Sequence, residues 1–157
     1  MRNNKQKGFS LIELLIVVAI ILIIAAIAIP NLLRSRMAAN EASAVGSMRT
    51  INTACVTYSS TYGTGFPAAL ANLAPANPAT AAAADLIDQV LAGKQKSGYA
   101  FTYVAGAAVG GVIPTYTLNA DPISRGTTGQ RGFFTDQSGV IRFDPVAAAT
   151  VASLPIS

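Results

Sequence analysis

The chain has 157 residues, of which 52% are hydrophobic and only 11% are charged, with eleven basic and seven acidic side chains. Once one long apolar segment is set aside, this length supports a single ordinary domain with one modest core. The net charge of +4 does not predict a nucleic-acid surface, because the basic residues are scattered and three of them precede residue 8. With no histidine and one cysteine, Cys55, zinc sites and an intrachain disulfide are excluded.

A basic leader at residues 1–8 precedes an apolar segment at residues 9–30, in which Glu13 is the only ionisable side chain. About 20 helical residues match the roughly 30 Å hydrocarbon core of a bilayer. A helix that is apolar on all sides is buried either in lipid or in a bundle of like helices. The run is too long for an ordinary cleaved signal peptide, whose apolar region spans about 7 to 15 residues. Three basic residues before the segment and two shortly after it favour a cytoplasmic N-terminus and an exported body.

Glu13 has two interpretations that the residues alone leave open. The pattern Ser10-x-x-Glu13 fits a capping box, in which the carboxylate accepts a backbone N–H at the start of the helix. A carboxylate in a membrane span is otherwise costly, by about 2.5 to 3.5 kcal/mol at mid-helix and less near an end. The second interpretation is therefore that Glu13 needs a charged partner from outside its own helix.

The segment Lys7-Gly8-Phe9-Ser10-Leu11-Ile12-Glu13-Leu14-Leu15 resembles the N-terminal signature of type IV pilins and type II secretion pseudopilins. The resemblance implies that a prepilin peptidase cuts after Gly8 and that Phe9 becomes an N-methylated first residue. It also implies that Phe9 and Glu13 act in assembly. Cleavage creates a cationic amine at Phe9, and the amine of a neighbouring subunit can pair with a buried Glu13.

Pro30 interrupts the helical pattern and is expected to kink the helix, because it removes one backbone hydrogen bond. An amphipathic half follows over residues 31–62, and we expect its apolar face to pack on a head while its polar residues face elsewhere. Cys55 is expected to be a small buried hydrophobic residue rather than an interchain crosslink. The apolar face comprises Met37, Val45, Met48, Ile51, Cys55, Tyr58 and Tyr62, and the polar residues are Asn40, Ser43, Ser47 and Asn52.

Residues 63–97 are predicted to form a loop region with one short helix near residues 85–93, after glycines that end the long helix. Residues 98–157 are predicted to form an antiparallel β-sheet head of four strands. The second pair of strands, near residues 132–135 and 140–143, is joined by a turn at Gln137-Ser138-Gly139. The first strand contains Tyr99, Phe101 and Tyr103, and the second contains Val112, Pro114, Tyr116 and Leu118.

A metal site in the head is not expected. Some secretion pseudopilins, by the same resemblance, bind calcium near the C-terminus through clustered acids, but Asp121, Asp136 and Asp144 are dispersed here. Turn chemistry alone explains Asp136 and Gly139. Catalytic residues are not expected either, because the chain has no histidine and no paired carboxylates in one motif. No cofactor is predicted.

The predicted fold class is α+β, with a long kinked N-terminal α-helix packed on a small antiparallel β-sheet head, similar to type IV pilins. The resemblance implies a structural subunit that polymerises into a type IV pilus filament for adhesion, twitching motility or DNA uptake. The alternative is a pseudopilin of a type II secretion system. Expected partners are copies of the chain itself, the inner membrane before assembly, prepilin peptidase, and the pilus or pseudopilus assembly machinery. No nucleic-acid partner is predicted for the subunit itself.

Overall fold

The computed structural model describes residues 8–156, so the predicted leader lies outside the described residues except for Gly8. Contacts divide the chain into two compact units, one ending at Ser35 and the other running from Arg36 to Ser157. Helix α1 (Leu11–Tyr62) begins in the first unit and ends in the second.

The first unit contains the start of α1, which begins at Leu11, within the predicted apolar segment. Side chains from Phe9 to Ile29 are exposed within the chain, apart from the half-buried Ala25. The segment is long and apolar enough to cross a membrane, and none of its most apolar window is buried. The helix continues through Pro30 without a break, and the kink predicted there stays a prediction.

The second unit contains the rest of α1, which ends because Gly63 takes a left-handed conformation with φ +67° and donates its N–H to Ser59. A 3₁₀ turn (Leu70–Leu73) and a short helix α2 (Gln89–Ala92) follow. Asp88 caps α2, its carboxylate accepting the Leu91 N–H at 2.8 Å. The strands are β1 (Gln95–Lys96), β2 (Tyr99–Ala105), β3 (Tyr116–Pro122), β4 (Gly132–Asp136), β5 (Arg142–Asp144) and β6 (Leu154–Pro155).

The six strands form one antiparallel sheet in chain order, with β1 and β6 at its edges. Side chains alternate across the sheet, so one face of β2 and β3 is buried against α1. In the register, Phe101 lies opposite Ala120, and Ala120 opposite Phe133. Met48, Ile51 and Cys55 of α1 and Tyr99, Phe101, Leu118 and Phe133 of the sheet are all at most 2% exposed. The α+β class predicted from the sequence is confirmed.

Two details of the predicted sheet are wrong. The sheet has six strands rather than four, because β1 and β6 are two residues long and too short to show alternation. The second strand starts at Tyr116 instead of Val112. Val109 and Val112 bond to each other across a tight turn in which Gly110 and Gly111 both have positive φ.

The predicted orientation of the polar residues of α1 is also wrong. Asn40 donates to the Thr128 carbonyl at 2.8 Å, and the hydroxyls of Ser43 and Ser97 lie 2.9 Å apart. Ser47 is 6% exposed. Asn52 is hydrogen-bonded to two side chains of the sheet. These residues face the head because α1 shields backbone and hydroxyl groups of the head from water, and those groups then need hydrogen-bond partners on the helix.

Candidate assembly and processing site

The peptide bond between Gly8 and Phe9 lies in an exposed, non-helical segment just before α1. Phe9 is 79% exposed, so its ring is largely uncovered by the part of the chain that the structure describes. A Cβ atom added at Gly8 would meet no heavy atom within 4 Å. A glycine is therefore not required there by the fold, and its small size can serve an enzyme that approaches the backbone.

Glu13 lies in the first turn of α1 and accepts the backbone N–H of Ser10 at 2.9 Å. This is the carboxylate half of the predicted capping box. The complementary bond from the Glu13 N–H to the Ser10 hydroxyl is not among the hydrogen bonds of residues 8–156. The carboxylate satisfies one N–H that no helical carbonyl can reach, and the helix dipole favours its charge.

Glu13 lies close in sequence to the predicted cleavage site, and no cation of residues 8–156 pairs with it. None of the three ion pairs between described residues includes Glu13. Its bonded partner, Ser10, directly follows Phe9, the residue at which cleavage would create an amine. Pro30 lies farther along the same exposed helix. The arrangement can hold a carboxylate near a new amine, either in its own chain or from a second copy.

An ion pair that the sequence analysis missed joins α1 to the loop between β3 and β4. The Arg131 Nε lies 2.7 Å from Glu41 Oε2, and the backbone N–H groups of Gln130 and Arg131 donate to Glu41 Oε1 at 2.9 and 3.1 Å. Burial opposes ionisation, but these donors together hold the pKa of Glu41 below its ordinary value. The partners are 90 residues apart, and no local pattern could have paired them.

Cys55 is fully buried, as predicted, and is a free thiol within the single chain. Burial raises its pKa to about 12, so the thiol stays protonated and unreactive at neutral pH. The aromatic rings of Tyr58 and Tyr62 lie 4.8 Å apart on the same helix. This part of α1 is core, and it offers no chemistry to a ligand.

The three dispersed aspartates of the head each have a local role. Asp136 accepts the Ser138 N–H at 2.9 Å in the predicted turn, with Gly139 at φ +74°. Asp144 accepts two backbone N–H groups that follow it, and Asp121 pairs with Arg125 at 3.4 Å. Within residues 8–156 no three His, Cys, Asp or Glu side chains lie together in a group that could hold a metal ion.

A long helix with an exposed apolar start and an antiparallel head fit the α+β fold of the pilin class and a membrane-anchored subunit. Residues 3–29 match the prokaryotic N-terminal methylation motif. The chain is 66% identical over 41 residues to the type IV wide pilus major component PilA4 of Thermus thermophilus, covering 26% of this chain and 30% of that protein. The start of the chain therefore carries this motif and is similar to the start of type IV pilins.

Two further relatives are also named as pilus proteins. The chain is 46% identical over 52 residues to the type IV major pilin protein PilA of Myxococcus xanthus, covering 33% of this chain and 24% of that protein. It is 51% identical over 57 residues to the type IV major fimbrial protein FimA of Dichelobacter nodosus, covering 34% and 36%. The matches span about a quarter to a third of these relatives. No solved structure matches the chain at a significant level.

Proposed function

We propose that this chain is a structural subunit of a type IV pilus and polymerises through the start of α1. The exposure of the side chains from Phe9 to Ile29 carries this proposal. An apolar surface that its own chain leaves open on all sides needs lipid or like helices to cover it. The names of the three relatives support a pilus over the alternative, a type II secretion pseudopilus.

The proposed pathway begins in the inner membrane, with the N-terminus cytoplasmic and the head exported. Prepilin peptidase cuts after Gly8, the new N-terminus at Phe9 is methylated, and the assembly machinery moves the subunit from lipid into a helical filament of identical copies. The filament then serves adhesion, twitching motility or DNA uptake, with no nucleic-acid contact assigned to the subunit. The relatives are structural proteins, and no catalytic role is proposed.

Within this function, Glu13 directs assembly by pairing with the amine at Phe9 of a neighbouring copy. In the intact chain its carboxylate is satisfied by one backbone N–H of Ser10. Moving from the membrane edge into a filament core removes the remaining water, and an unpaired buried charge then costs about 3 to 5 kcal/mol. The pairing removes that cost only when the incoming copy is in the correct register.

The test compares Glu13→Ala with Glu13→Gln. Glutamine retains an oxygen that can accept the Ser10 N–H but carries no charge. If Glu13 acts through its charge, both variants reach wild-type membrane levels as mature protein and yield few or no filaments by shearing and electron microscopy. If Glu13 acts only as a cap, Glu13→Gln yields as many filaments as the wild type. Glu13→Ala then loses only the capping energy of about 0.5 to 2 kcal/mol and still yields most of the wild-type number of filaments.

Two further measurements decide the remaining parts of the proposal. Intact-protein mass spectrometry should show native material that begins at Phe9 and carries one added methyl group. Residues 1–8 still attached to the assembled protein would contradict the processing step. Wild-type filaments that extend from the cell surface support a pilus, whereas a chain that forms none and is required only for protein export supports the pseudopilus alternative.

A further inference from the structure

Helix α1 meets the head through two stretches of different chemistry. Between Asn40 and Ser43 the contacts are polar: a hydrogen bond to the Thr128 carbonyl, the Glu41 ion pair, and the hydroxyl contact with Ser97. Ala42 is exposed. From Ala44 onward the buried side chains of α1 are mainly apolar, and Met48 and Ile51 are completely covered. The polar stretch therefore lies at the margin of the core rather than in it.

Asn40 and Glu41 bond to one loop, residues 123–131, which joins β3 to β4, whereas Ser43 contacts Ser97 outside this loop. The loop is held together by its own bonds, including Gly126 N–H to the Gly129 carbonyl at 2.8 Å and Thr128 N–H to the Ser124 carbonyl at 2.8 Å. The Arg125 guanidinium also donates to the Gln130 carbonyl within it. Because these bonds do not involve α1, the loop can keep its shape when it separates from the helix.

Water already reaches the contact between the loop and α1. The Arg131 side chain is 43% exposed although its Nε is bonded to Glu41, which is 10% exposed. The guanidinium lies 5.5 Å from the Phe133 ring centre and 5.6 Å from that of Phe143. When the ion pair breaks, Glu41 and Arg131 can exchange their bonds for bonds to water without leaving an apolar cavity.

We infer that loop 123–131 is a latch on α1, which opens as a unit and exposes the helix face at Asn40 and Glu41 while the core stays closed. Glu41 is the main fastening, since its two oxygens hold three donors of the loop end. Asn40 is the second fastening on α1, and the buried Tyr99 hydroxyl, which donates to the Arg131 carbonyl at 2.8 Å, holds the end of the loop on the sheet. Sub-global openings of this kind occur where few apolar contacts oppose them.

The consequence for assembly rests on the proposed function. With the latch open, the helix surface that a neighbouring copy can contact extends toward Ser43 by about one turn. Opening of the loop is a property of the single chain and is measured without filaments. A failure of the filament experiment above therefore leaves this inference standing, and a failure here leaves the pilus proposal standing.

The test is amide hydrogen exchange by NMR on the full chain in detergent micelles, with increasing low concentrations of urea. In the wild type, the amides of Gln130 and Arg131 should exchange at least tenfold faster than those of Phe101 and Leu118 in the central strands. Their exchange should also depend little on urea, because a small opening exposes little surface. Equal rates with equal urea dependence in both groups would overturn the inference.

Variants separate the latch from the core. In Glu41→Gln, an NH2 group replaces the carboxylate oxygen that faces the Arg131 Nε–H, so two donors face each other and the bond is lost. Hydrogen exchange of the Gln130 and Arg131 amides should then rise at least tenfold. Asp121→Asn, which removes a carboxylate paired only with Arg125 of the same loop, is the matched control and should change latch exchange less than twofold. Latch exchange within twofold of wild type in Glu41→Gln would overturn the role of Glu41.

Core variants supply the converse test. Met48→Ala should raise exchange in β2 and β3 at least tenfold and leave the latch amides within twofold of wild type. A rise of equal size in both groups would show that the loop opens only when the head unfolds. If Met48→Ala does not fold, Ile51→Val gives the same comparison, and if Glu41→Gln does not fold, Asn40→Ala tests the latch through its second fastening.

Discussion

The Tyr116 hydroxyl of β3 donates a hydrogen bond to the Asn52 side-chain oxygen of α1 at 3.0 Å. The amide nitrogen of the same Asn52 donates to the Thr135 hydroxyl of β4 at 3.1 Å. One side chain of the helix therefore bridges two neighbouring strands. Tyr116 and Thr135 are at most 2% exposed, so water cannot replace Asn52 as the hydrogen-bond partner of either hydroxyl. This bridge fixes the rotation of α1 against the sheet.

Asn52→Ala should destabilise the head by about 2 to 3 kcal/mol, because it removes two hydrogen bonds and leaves two buried hydroxyls unpaired. Thermal unfolding of the full chain in detergent micelles, followed by near-ultraviolet circular dichroism, measures the loss. Thr53→Ala is the matched control, since the Thr53 hydroxyl bonds only to the Arg49 carbonyl of its own helix and faces outward. Equal midpoints for Asn52→Ala and Thr53→Ala would contradict the bridging role.

The Glu41 ion pair should make the head sensitive to acid. In the folded state the pKa of Glu41 lies below its ordinary value of 4.5. The ion pair therefore contributes its full stability above pH 4.5 and loses it as the pH falls through the lower folded pKa. Glu41→Gln should lower the unfolding midpoint by about 4 to 8 °C at pH 7, for a loss of about 2 kcal/mol. The difference from wild type should narrow as the pH is lowered from 5 to 3. A difference that stays constant over this range would exclude the carboxylate as its cause.

The second compact unit should fold without the apolar start of α1. A fragment of residues 36–157 retains all the buried residues of the helix and the whole sheet, so we expect a soluble protein with one cooperative melting transition. Cys55 reports on the core of this fragment. Its thiol should react with a thiol reagent only after denaturant is added, because burial raises its pKa to about 12. Aggregation without a cooperative transition would refute the division of the chain.

Pro30 should produce a kink in the free subunit and at most a short melted stretch in the filament. Proline cannot donate to the carbonyl four residues earlier, and its ring crowds that carbonyl. Pro30→Ala restores the donor and removes a penalty of about 3 kcal/mol, so its filaments should show a continuous helix. A cryo-electron microscopy map of each filament decides the matter. A straight, unbroken helix through Pro30 in the wild type would contradict the prediction.

Local patterns predicted the parts of the fold that depend on periodicity. The end of α1 near Tyr62 follows from the glycines after it, and Tyr99 and Phe101 of β2 show the alternation of a half-buried strand. The same rule failed at Val112, because apolar residues in a glycine-rich hairpin turn imitate a strand without being buried. A pattern of residue types does not show which alternating segment is buried by the rest of the chain.

The polar contacts between helix and head could not be predicted in this way. Asn52 bonds to Thr135 across 83 residues, and Glu41 to Arg131 across 90. Asn52 and Glu41 are residue types that are ordinary on an exposed helix face, and only the packed sheet shows their partners. At the other end of the chain, Glu13 needed no tertiary information for its cap, since Ser10 is three residues away.

The last strand, β6, does not offer a full set of hydrogen-bond donors to a further strand, because it contains a proline. Ile156 donates its N–H inward to the Ile141 carbonyl, so the preceding residue, Pro155, turns its backbone to the outer edge, where a proline has no N–H to offer. At the opposite edge, β1 is only two residues long and carries the charged Lys96, which pairs with Asp88 at 2.8 Å, and such a short, charged edge disfavours the approach of another strand. In the proposed filament, where heads are crowded side by side, these two edges disfavour the merging of neighbouring sheets into a continuous aggregate.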